Sequence, residues 1–66
     1  MRDPNRLDNF YDEMKKLHME YFPDLRFGQL ISNFFGWIWQ TYKIDVFFPE
    51  EDRMIELFKD YCKKTY

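Results

Sequence analysis

Arg26, Gln29 and Asn33 are spaced three and four residues apart, so on a helix they form one polar line offering a guanidinium and two amides. Those groups pair with guanine and adenine edges in a DNA major groove, which makes nucleic-acid recognition one candidate chemistry. A nucleic-acid partner also requires Lys and Arg around the reading residues to contact phosphates. Ten Lys and Arg against twelve Asp and Glu, a formal charge of −2, do not supply a broad basic footprint. The competing reading is structural. Arg26 pairs with Asp45 or with the Glu50-Glu51-Asp52 cluster, while Gln29 and Asn33 bond the segment that follows their helix.

His18 and Cys62 are the only residues of their types. A Cys–His nucleophilic pair needs an oxyanion hole and a third group to orient the base, and no motif marks either. Zinc needs more His or Cys ligands than one of each. Both residues fall on apolar faces of the helices described below, where a half-buried ring and a small buried hydrophobe are expected. Glu50, Glu51 and Asp52 are consecutive, so a helix points them in different directions, and no EF-hand spacing surrounds them. Following Pro49, they suit the positive end of a helix instead. No cofactor or metal is implied, and the expectation is a noncatalytic protein.

Aromatic residues make up 23 % of the chain. Trp37, Trp39, Tyr42, Phe47, Phe48 and Tyr66 exceed what the helical stripes need. They form either a lid over the open side of the helices or a contact surface, since exposed aromatic patches are enriched at protein interfaces. Trp37, Trp39, Tyr42, Phe47 and Phe48 are the candidate contact residues for a protein partner or for a second copy in a homodimer.

Three helices must position these groups. Asp3-Pro4 opens the first with a capping residue and a proline at the first helical position. Leu7, Phe10, Tyr11, Met14, Leu17, His18 and Tyr21 then share one face, which predicts a helix over Pro4 to Tyr21. Pro23 ends it, and Asp24 is placed to cap the next. In the second helix Phe27, Leu30, Ile31, Phe34, Phe35 and Ile38 form one wide stripe, marking it as the packing centre. Gly28 at the edge of that stripe predicts close approach by a neighbouring helix, because glycine costs about 0.8–1 kcal/mol relative to alanine there. The helix ends either at Gly36 or near Gln40, and at least one Trp lies near the surface. Thr41 to Phe48 reads as an extended aromatic connection. A third helix over Pro49 to Lys64 gathers Met54, Ile55, Leu57, Phe58, Tyr61 and Cys62 on one side.

These elements amount to a single all-α domain of 66 residues, near the lower size limit for a core without staples. No apolar run approaches the roughly 20 residues needed to cross a bilayer. One cysteine and no signal-peptide pattern predict a cytoplasmic protein.

Arg2-Asp3-Pro4-Asn5-Arg6, Pro23-Asp24-Leu25-Arg26-Phe27-Gly28-Gln29-Leu30-Ile31 with Asn33, and Asp45 to Asp52 together resemble a group of small bacterial and phage-associated proteins. Members of that group share an RDPxR start, a PDLRxGQLI centre and an acidic helix start after an aromatic pair. The resemblance implies a shared compact helical fold and brings no assigned activity.

Overall fold

In the computed structural model, which describes residues 2–65, the chain winds into its first helix through a turn at Pro4 and Asn5. The Asp3 carboxylate accepts the Asn5 N–H at 2.9 Å, and the Asp3 and Pro4 carbonyls accept from Arg6 and Leu7. Regular α-geometry therefore begins two residues after Pro4, giving α1 (Arg6–Tyr21), followed by α2 (Phe27–Tyr42) and α3 (Glu51–Thr65). There is no strand among the described residues, and the fold is all-α, as the periodicity predicts.

Phe22 leaves the helical conformation immediately before Pro23, and its N–H bonds the His18 carbonyl at 3.0 Å. His18 Nε2 lies 2.9 Å from the Leu25 carbonyl, an acceptor only, so this nitrogen carries the proton and ties the corner to α1. Phe22 stacks on Tyr61 with ring centroids 5.6 Å apart, which docks the corner on α3. The cap of α2 is Arg26 in extended conformation rather than Asp24, and its N–H donates to Gln29 Oε1 at 2.9 Å. An arginine side chain has no acceptor, so this reciprocal cap can form only in that one direction.

The second helix tolerates Gly36 and runs on past Gln40, so the longer of the two ends holds: α2 finishes at Tyr42, two residues further. Ile38, fully buried, and Trp37, packed on the core, hold the last turns down, which outweighs the weak helix propensity of one glycine. Lys43 ends the helix in left-handed conformation at φ 57°, a position that glycine usually takes, and its N–H bonds the Trp39 carbonyl. Gly28 does not mark a close helix approach. It is exposed, and a Cβ built there would meet no atom within 4 Å.

The packing centre is α3, not the second helix. It buries Ile55, Leu57, Phe58, Tyr61 and Cys62, whereas α2 buries Leu30, Phe34 and Ile38 and α1 buries no residue fully. Both α1 and α2 lie against α3 and make no backbone-close contact with each other. The reason lies in composition: α3 carries a compact run of large apolar side chains on one face, while only the Leu30, Phe34 and Ile38 part of the broad α2 stripe is fully covered. Ion pairs flank the α1–α3 seam, with Arg6 on Glu51 at 2.8 Å and Lys59 on Glu13 at 3.8 Å.

Candidate functional site

The polar line of α2 leads to no site. Arg26, Gln29 and Asn33 are all exposed. The expected ties to the following segment do not form: Gln29 bonds its own cap, and Asp45 accepts the Phe47 N–H at 2.9 Å instead of pairing with Arg26. Glu50 pairs with Arg2 at 2.6 Å, Glu51 with Arg6, and Asp52 accepts the N–H of Arg53. Apolar side chains do the tying, because Ile44 and Val46 pack against the core from the connecting segment.

The acids and the two reactive residue types are similarly engaged. Arg6 holds the Glu51 carboxyl below the usual carboxylate range, chiefly through their hydrogen bond. Among the described residues no three His, Cys, Asp or Glu side chains come together to hold a metal ion. The His18 Nε2 proton is committed to a backbone carbonyl. Burial, with a smaller contribution from the Glu20 charge, pushes the Cys62 thiol up to about 11, away from the thiolate that a nucleophile requires.

The five candidate contact aromatics separate into three places. Trp37 packs inward, with centroids 5.2 Å from Tyr61 and 5.6 Å from Tyr42. The Tyr42 hydroxyl donates to Asp60 Oδ2 at 2.6 Å, which raises the phenol and lowers the carboxyl from their ordinary values. These two close the α2–α3 seam. Trp39 stands exposed on α2 with the Lys43 ammonium 5.9 Å above its ring. Phe47 and Phe48 project from the connecting segment as an edge-to-face pair, centroids 5.2 Å apart. Tyr66 lies outside the described residues.

Phe47 belongs to a feature that the sequence does not reveal. Because α1 and α2 splay apart over α3, they leave a groove of about 340 Å³ between them. Phe10, Tyr11 and Met14 of α1 form one wall, Phe27, Ile31 and Phe35 of α2 the other, and Met54 of α3 contributes from beneath. Val46, Phe47 and Pro49 close one end. Among the described residues its only charged lining residue is Glu51, already bonded to Arg6.

The rings around this groove are unusually wet. Phe47 is 83 % exposed, Phe27 65 % and Tyr11 63 %, and Phe48, against Phe47 but outside the lining, is 72 % exposed. Phe27 and Tyr11 sit on the predicted apolar stripes of their helices, so periodicity assigns them to the core, and the structure moves them to the rim. Stripe width gives no warning of this, because seven apolar-face positions on α1 and six on α2 are ordinary for helices of 16 residues.

Exposed aromatics lining an apolar depression can exclude water from an apolar partner surface. It offers no unsatisfied charge and no convergent set of donors for a polar substrate. The chain matches no protein-family model, and neither the comparison with curated proteins nor that with solved structures returns a match.

Proposed function

We propose that this chain is a small noncatalytic protein-interaction module of the cytoplasm, and that its contact surface is the groove between α1 and α2. The observation that carries this reading is that Tyr11, Phe27 and Phe47 line an apolar depression and yet stay exposed, with exposed Phe48 edge-to-face on Phe47 beside it. Exposed aromatic side chains are enriched at protein interfaces. A lone Cys62, buried and without a disulfide, supports a reducing compartment.

The alternative, nucleic-acid binding through Arg26, Gln29 and Asn33, has exposure in its favour but lacks cationic companions. The basic side chains of α1 and α3 near acids are drawn into ion pairs, as Arg6, Lys16, Lys59 and Lys64 are. Loss of detectable DNA and RNA binding even at low salt is the outcome expected for the interaction module.

Photo-crosslinking in the native cell tests the reading. A benzophenone side chain in place of Phe47 should give discrete protein adducts, whether with the chain itself or with another protein. The same probe in place of Asn33, exposed but outside the groove, should give none. Absence of any adduct from position 47 would overturn the proposal.

A further inference from the structure

We infer that the groove is the interface of a two-fold symmetric homodimer, in which each copy seats its Phe47–Phe48 corner in the groove of the other; this rests on the interaction reading above and names its partner. A two-fold interface uses the same patch on both subunits, so that patch must be complementary to itself. This one holds both halves of such a fit: the apolar groove and, at its end, the projecting Phe47–Phe48 pair.

The projecting corner is ordered in advance. The Asp45 carboxylate accepts the Phe47 N–H, the Asp45 carbonyl accepts the Phe48 N–H at 3.2 Å, and Pro49 restricts the backbone of Phe48. Presenting two rings on a fixed turn lowers the ordering cost of association.

Charge favours a second copy over a partner of opposite charge. Around the groove end, Glu51 is satisfied by Arg6 and Glu50 by Arg2 within the same chain. A rim neutralised internally can face its own image without like-charge repulsion, and it offers an acidic or basic partner nothing to select.

Sedimentation equilibrium of the full chain, from low micromolar to near-millimolar concentration, tests this directly. The expected result is a monomer–dimer equilibrium with no larger species. Phe48→Ala and Phe27→Ala should each raise the dissociation constant about tenfold or more, with the helical circular dichroism of the monomer retained. Trp39→Ala and Met19→Ala, at exposed apolar positions outside the groove, should leave it unchanged. A monomer throughout, larger assemblies, or a dimer weakened by Trp39→Ala and not by the groove variants would each overturn the inference. A monomer that still forms adducts with another protein at position 47 removes the dimer alone, and a monomer without adducts removes the interaction reading as well.

Discussion

Two aromatic regions of this molecule are built from the same residue types and meet opposite fates. Between α2 and α3, Phe34, Trp37, Phe58 and Tyr61 interlock, with Phe34 and Phe58 centroids 4.8 Å apart and Phe34 and Tyr61 5.4 Å apart. Between α1 and α2, Phe10, Tyr11, Phe27, Ile31 and Phe35 face each other across open space. The difference is the third helix. Where α3 supplies a dense apolar face the rings close on it, and where only its Glu51 and Met54 reach, they stay apart. The packed core thus lies on one side of the chain and the open groove on the other, with Phe34 between them.

The largest expected effect comes from breaking the closed side. Phe58→Ala or Phe34→Ala removes a fully buried ring and should cost about 3–5 kcal/mol. A domain of this size commonly has about that much stability in total, so thermal circular dichroism should show an unfolded chain at ambient temperature. Phe27→Ala, on the open side, should change folding stability by no more than about 0.5 kcal/mol in urea denaturation of the dilute monomer. Equal losses at the two sites would erase the distinction between the regions.

Alkaline titration gives the next effect and also separates them. Cys62 is raised in the folded state from 9.0 to about 11, so its contribution is fully present below pH 9 and declines as pH rises toward 11. Tyr42, raised from 10.0 by its bond to Asp60, adds a loss above pH 10. Urea midpoints should therefore fall above pH 9, and Cys62→Ala should remove the earlier part of that fall. At the acid end the sign reverses. Glu51 and Asp60 are lowered from 4.5 and 3.8, so the stability they add is present above those values and is lost as pH falls through the lower folded ones.

Smaller gains are expected from backbone positions that neither region needs. A Cβ at Gly36 would meet no atom within 4 Å, and Gly36 lies mid-helix without positive φ. Gly36→Ala should therefore stabilise by about 0.5–1 kcal/mol. Lys43→Gly relieves the left-handed conformation but forfeits the ammonium above Trp39, leaving a net gain of about 0.5 kcal/mol in the same denaturation assay.

Much of the architecture was legible because period and punctuation agree. Leu30, Phe34 and Ile38 recur at four-residue steps, Pro23 breaks the chain where α1 stops, and the face of α3 is buried as its spacing predicts except for half-buried Met54. Periodicity states which residues share a face but not what covers that face. It could not show that α1 and α2 both choose α3, or that Phe27 and Tyr11 would be left uncovered. The Arg26–Asp45 pairing fails for a related reason: charge in the sequence suggests a partner, while a local turn at Asp45 claims the carboxylate first. Phe47 was visible as a surplus aromatic, but the groove beside it is a product of helix angles that no residue encodes alone.

The most direct measurement is ring-by-ring solvent access in solution, read from the broadening of aromatic side-chain NMR signals by a soluble nitroxide at high dilution. The account predicts strong broadening of Phe27, Phe47 and Phe48 and almost none of Phe34 and Phe58. Phe27 and Phe47 as protected as Phe34 in the dilute monomer would mean that the groove is closed within one chain, and would contradict the division on which the interaction surface depends.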